Sequence, residues 1–236
     1  LVIVADEPGP YLDSADWTAG IDEPWIATLE RGPAGKIMER RVLFRSGIDA
    51  DFIVVARAGL DAFQAEPLRS ITARGMKILL DKEHILSELQ IQRSETPQLP
   101  SSAEFSEKVN DFWFHAVWTA KKLRRGELWT AKSCCDGYMK QLLLRMIEWR
   151  ALALGGANAA AGAAWYNGRF IERWAGDEVV ERLGTAFAHY DEADIWRALS
   201  NTLALFGAIS RETAHRLGYA YPQEEAQGIT AWVNAK

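Results

Sequence analysis

TPQLPSSAEFSEKVNDFWFHAVWTAKKLRRGELWT, residues 96–130, is the stretch in which this chain changes character. Two prolines and two serines within seven residues break any regular element. Ser101 and Glu104 then form a Ser-x-x-Glu capping box ahead of an apolar run with helical spacing. Short strand-like segments lie upstream of the break and long helical patterns downstream. The expected fold class is therefore α+β: a domain of strands and short helices over residues 1–100, followed by an α-helical bundle domain over 101–236.

Upstream, LVIVA (1–5), residues 39–44, IDADFIVV (48–55) and MKILLD (76–81) read as strands. Short helices are expected within 16–27, 60–64 and 68–74, and a short helix or turn over 82–89. LVIVA is apolar from its first residue and reads as a buried strand. A domain that opened inside such a strand would be unusual, so residues preceding Leu1 are expected to belong to the same domain. Downstream, one helix is expected to reach Leu123 and break at Arg124-Arg125-Gly126. A second is expected over 127–154, and others over 177–188 and 192–217, the last ending on Gly218 as a left-handed C-terminal residue. The Gly/Ala-rich stretch 155–164 is compatible with a loop or a weak helix.

With 236 residues, 48% hydrophobic and 25% charged, the chain has the composition of a globular protein with a substantial core. A net charge of −5 and a pI near 5.5 argue against a nucleic-acid-binding protein, which needs a basic footprint, and favour a cationic small molecule. No apolar stretch reaches the ~18 residues of a membrane span. Cys134 and Cys135 are adjacent within a helical pattern, which fits a reducing, cytoplasmic setting better than a disulfide.

No phosphate loop, His-Glu-x-x-His, Cys-x-x-Cys or Gly-x-Ser-x-Gly motif is present, so thiolate-zinc and Rossmann hydride chemistry have no support. Asp49 and Asp51 are two apart on an expected strand. They share a face roughly 6.5–7 Å apart, a spacing suited to hard divalent cations such as Mg²⁺. The competing reading is a pair of solvent-facing acids at a strand's edge. Asp111 sits between Asn110 and the aromatic run Phe112-Trp113-Phe114, where an acid can hold an ammonium or guanidinium through charge and cation–π contact. The alternative is a first-turn acid favoured by the helix dipole. Lys132, Asp136 and Lys140 fall at i, i+4 and i+8 and read as a solvated ion-paired stripe. His115, His189 and His215 read as packing or surface residues, and most of the ten tryptophans as core.

Together these segments resemble the streptomycin-type aminoglycoside 6-adenylyltransferases, within the polymerase-β-type nucleotidyltransferase superfamily. The resemblance spans nearly the whole chain. It rests on GIDADFIVV (47–55), KILLDKE (77–83), NDFWF (110–114) followed by Lys121-x-Leu123-x-Arg125-x-Glu127, LLLRMIEW (142–149), ADIWRAL (193–199) and GYAYP (218–222). It implies transfer of AMP from Mg·ATP to the 6-hydroxyl of streptomycin with release of pyrophosphate, hence antibiotic resistance, at a site between a sheet domain and a helical domain. The family's signature is a Gly-Ser turn, an Asp-x-Asp pair on one strand and a third acid on a neighbouring strand. The third acid maps to Asp49, as metal ligand or as general base on the acceptor hydroxyl, with Asp51 accessory. The turn and the pair would precede Leu1, and Asp49 alone cannot hold two Mg²⁺ ions ~3.5–4 Å apart. The resemblance makes Lys121 the candidate for the ATP triphosphate, and Asp111 with Trp113 the candidates for the cationic aminoglycoside. A non-catalytic binding protein of the same fold, and a transferase with another acceptor, remain the alternatives.

Overall fold

A computed structural model describes residues 1–31, 38–64, 69, 72, 75–85, 98–163 and 167–235, with side chains throughout except at 61–64 and 156–163. The chain divides into two compact units, Leu1–Glu95 and Thr96–Lys236.

The first unit is built on a four-stranded mixed sheet of β1 (Val2–Ala5), β2 (Pro24–Arg31), β3 (Met38–Phe44) and β4 (Asp49–Ala56), in the order β1-β4-β3-β2. β1 runs parallel to β4, with Val2 beside Ile53, and the other two pairings are antiparallel. Gly47, at φ +82°, makes the tight turn from β3 to β4, a left-handed position that a side chain would strain. Alternation then sorts the residues of β4. Phe52 faces Val42, Phe44, Ile3 and the edge of Trp17, whose ring centroid is 4.9 Å away. Val55 and Ile53 face Val2, Val4, Leu60 and Met76 on the other side. Arg40 is buried on the Phe52 face, donating to the carbonyls of Tyr11 (2.9 Å) and Leu12 at the end of the single helical turn Gly9–Leu12.

Three of the expected strands appear as β1, β3 and β4. β2 was not anticipated, because it is an edge strand that exposes Trp25, Ile26 and Leu29 and so lacks a clean alternation. Residues 76–81 are not a strand: Met76 packs beneath β4, but Ile78, Leu79 and Leu80 are exposed and irregular. A 3₁₀ helix, Arg57–Gln64, follows β4. The expected helix over 68–74 falls largely outside the described residues, as does the second half, 86–89, of the helix or turn expected over 82–89.

The second unit is helical: α1 (Ser102–Arg124), α2 (Leu128–Ser133), α3 (Met139–Ala163), α4 (Asp177–Gly184), α5 (Glu192–Leu217) and α6 (Gln223–Asn234). The capping box forms as expected. Ser101 Oγ accepts from the Glu104 N–H (3.2 Å) and Glu104 Oε2 accepts from the Ser101 N–H (2.8 Å). Gly126 (φ +72°) ends the first helix and Gly218 (φ +70°) the fifth. The second expected helix is interrupted by a turn of π-helix, Cys134–Tyr138, and resumes as α3, which runs through the Gly/Ala-rich stretch to Ala163. α6 was not anticipated. One core joins α1, α3 and α5, centred on Phe112 stacked on Phe206 with centroids 3.5 Å apart and planes at 6°. No helix among the described residues is long and apolar enough to cross a membrane.

Candidate functional site

Asp49 opens β4, exposed, opposite Leu43 of β3. It shares its face with Asp51, Ile53 and Val55, and this face changes character along its length. Its Val55 end is packed, while its Asp49 end is charged. Arg41, level with Asp51, reaches Glu30 (3.2 Å), Glu39 (3.4 Å) and Asp51 (3.4 Å). Those acids raise the pKa of the Arg41 guanidinium, the hydrogen bond that Arg41 donates to Glu39 most of all. Asp51 is therefore engaged in an ion-paired cluster, while Asp49 has no ion-pair partner among the described residues.

The geometry does not by itself fit a two-metal site. Among the described residues no three His, Cys, Asp or Glu side chains are grouped to hold a metal ion. One strand offering one open carboxylate is short of the oxygen ligands a hard cation takes.

Asp111, on α1, is half-buried, and each of its carboxylate oxygens has a side-chain partner. Its Oδ1 lies 2.9 Å from Nδ1 of His115 and its Oδ2 accepts from the Tyr138 hydroxyl at 2.7 Å. Tyr138 comes from the π turn, and its ring stacks obliquely on His115 with centroids 4.4 Å apart. The carboxylate holds the phenol proton and raises the Tyr138 pKa above its ordinary value. Phe114 and Trp118 complete an aromatic surround. The sequence singles out Asp111 with Trp113 but carries no sign of Tyr138, 27 residues away. His115 is a partner of that acid rather than simple packing.

Trp113 lies elsewhere. Two residues along a helix is ~200° of rotation, so its indole points away from Asp111 into the core, 4% exposed, edge-on to Phe112 and Phe206. The structure does not bring Asp111 and Trp113 to one place. Lys121 is exposed in the last turn of α1, where a cation suits the helix dipole. Its neighbour Lys122 is instead tied to Glu127 at 2.7 Å.

Lys132, Asp136 and Lys140 are not a solvated stripe. Lys140 is buried, donating to Thr202 Oγ1 (2.8 Å) and the Cys135 carbonyl (3.0 Å), with Asp136 at 3.8 Å. Lys132 bridges Asp136 and the Ala188 carbonyl. Burial lowers the Lys140 pKa, opposed by Cys135 and Asp136, and pushes the Cys135 thiol up to about 11. Helical spacing correctly put the three on one face. What covers that face, residues 186–188 and α5, is remote in sequence.

Comparison with known proteins gives a consistent picture. The chain matches the family described as streptomycin adenylyltransferase over residues 1–235. An aminoglycoside 6-adenylyltransferase of Campylobacter jejuni is 28% identical over 149 residues, 62% of this chain and 51% of that protein. Another, of Staphylococcus aureus, is 23% identical over 184 residues, 77% of this chain and 62% of that protein. The chain thus spans between half and two thirds of the curated relatives it matches. A crystal structure of an aminoglycoside 6-adenyltransferase from Bacillus subtilis superposes with a TM-score of 0.51 at 19% identity, covering 98% of this chain and 85% of that one; this likeness speaks to the fold.

Proposed function

Because the chain belongs to the streptomycin adenylyltransferase family, we propose that its protein transfers AMP from ATP to a hydroxyl of an aminoglycoside, the 6-hydroxyl of streptomycin in the first instance. The observation that carries this reading is the family match itself, which runs through both units rather than one. In the transfer the acceptor oxygen bonds to the α-phosphorus, the bond from that phosphorus to the bridging oxygen breaks, and pyrophosphate leaves. Asp49 is assigned to the acceptor hydroxyl, whose proton it takes as general base. That role needs one open carboxylate, and Asp49 supplies it. Mg²⁺ is the expected companion of ATP in this chemistry, but no step is assigned to it, since the described carboxylates do not make a site for it.

Lys121, a cation whose head reaches solvent, is assigned to the triphosphate. Asp111 is assigned to the cationic acceptor. Its carboxylate, held by Tyr138 and His115 and flanked by aromatic rings, is a pre-oriented anion against which a guanidinium can sit.

The test is pyrophosphate release with ATP, Mg²⁺ and a panel of aminoglycosides. Streptomycin-dependent release is expected, with Asp111→Asn raising KM for streptomycin about tenfold, the loss of one charge-assisted contact. Release indifferent to every acceptor would overturn the assignment, and an unchanged KM in Asp111→Asn would remove that residue from the site.

A further inference from the structure

The helical unit contains a cavity of about 360 Å³ between α1, α5 and α6 that no part of the transfer reading uses. Its walls are Trp113 from α1, Leu203, Gly207 and Arg211 from α5, Tyr221 from the connection, and Gln227 from α6, among others. Two of these carry buried polar atoms with no hydrogen-bond partner among the described residues: Nε1 of Trp113 and the hydroxyl of Tyr221. Buried orphans are rare in folded proteins, and here two of them edge the same space. Gly207 lies where the two side chains approach one another. A Cβ there would meet the Trp113 ring at 3.6 Å and the Tyr221 oxygen at 3.8 Å. A glycine inside a long helix is locally unfavourable, and at this position its missing side chain keeps the cavity floor open.

The lining fixes the chemistry of the occupant. An indole N–H and a guanidinium are donors only, and a phenol can donate. No Asp or Glu lines the cavity, and Arg211 has no ion-pair partner among the described residues. The unsatisfied groups therefore call for acceptors, and the fixed positive charge calls for an anion. A single water occupies roughly 30 Å³, far less than this space, whereas small-molecule pockets begin near ~300 Å³. A cationic aminoglycoside is the wrong charge for it.

We propose that this cavity is a second ligand site, binding a small molecule whose anionic oxygens pair with Arg211 and whose acceptors are held by the Trp113 N–H and the Tyr221 hydroxyl. A nucleotide phosphate and the carboxylate of an aromatic acid share this chemistry. The site lies within the helical unit and does not depend on the transfer reaction.

Calorimetric titration of the full chain with AMP, adenosine and benzoate tests it. At least one of the two anions is expected to bind, and adenosine, lacking the charge, to bind at least tenfold more weakly than AMP where AMP is the ligand. AMP alone identifies a nucleotide as the source, and benzoate alone an aromatic carboxylate. Arg211→Ala should weaken the bound anion tenfold or more and Tyr221→Phe several-fold. Gly207→Ala should weaken it too, while leaving the helical circular dichroism intact and the urea midpoint unchanged or raised, since alanine is the better helix former. Binding of neither anion, or an affinity that none of the three substitutions moves, would overturn the proposal.

Discussion

In the sheet unit Arg41 meets Glu30, Glu39 and Asp51 at a surface where most of these side chains are about half exposed, whereas in the helical unit Lys140 meets Asp136, Thr202 and the Cys135 carbonyl almost wholly out of water. The same residue types thus do different work. Ion pairs in water are screened and contribute little to stability. Once desolvated, a charge must keep its partners or the fold suffers. The sheet unit can therefore leave a carboxylate such as Asp49 open on its rim at small structural cost. The helical unit commits the buried charges around Lys140 to holding α2, the π turn and α5 together.

That contrast can be broken by mutation, most severely in the helical core. Phe206 is fully buried and stacked on Phe112, so Phe206→Ala should cost about 3–5 kcal/mol by urea denaturation. A loss below ~1 kcal/mol would mean that this stack is not the centre of the unit. Asp136→Ala strands Lys140 and Lys132 and should cost about 3 kcal/mol. If the stripe were solvated after all, the cost would be near zero.

Glu148 sharpens the comparison through pH. It is buried on α3 with Arg145 at 2.9 Å, and burial raises its pKa despite that partner. A carboxyl with a raised folded-state pKa binds its proton more tightly folded than unfolded. Its contribution is favourable at acid pH and is lost as pH rises from the ordinary carboxyl value through the folded one. Glu148→Gln should therefore raise the urea midpoint at pH 7, and the gain should vanish below about pH 4, where both states of the wild type are protonated. A destabilisation at pH 7 would show that the Arg145 pair outweighs the burial. At the small end, Arg41→Ala should leave the urea midpoint unmoved, because its partners are solvated. A clear fall would place the sheet's charged end on the same footing as the helical interior.

How much of this was legible in the sequence follows the range of the interactions. β4 was readable because Phe52 and Val54 alternate against Asp49 and Asp51. The first helix was readable from Ser101 and Glu104, and the end of the fifth from Gly218, all of them contacts within a few residues. β2 was not, since an edge strand with Trp25 and Ile26 in solvent carries no two-sided pattern. The burial of Lys140 was hidden because its covering residues lie more than 40 positions away. The pairing of Asp111 with Tyr138 was hidden for a related reason: the π turn that aims Tyr138 has no sequence signature in the rules of helical periodicity. The separation of Asp111 from Trp113, by contrast, could have been read from their two-residue spacing on a helix.

We propose that Asp49 does chemistry on a surface that does not need it for folding. The direct measurement follows streptomycin by mass spectrometry after incubation with ATP and Mg²⁺, using wild type and Asp49→Asn proteins whose urea midpoints are determined in parallel. An AMP adduct is expected with wild type, a rate lower by a factor of about 100 or more in Asp49→Asn, as removal of a general base typically gives, and midpoints that coincide. No adduct from the wild type, or equal rates for the two proteins, would contradict it.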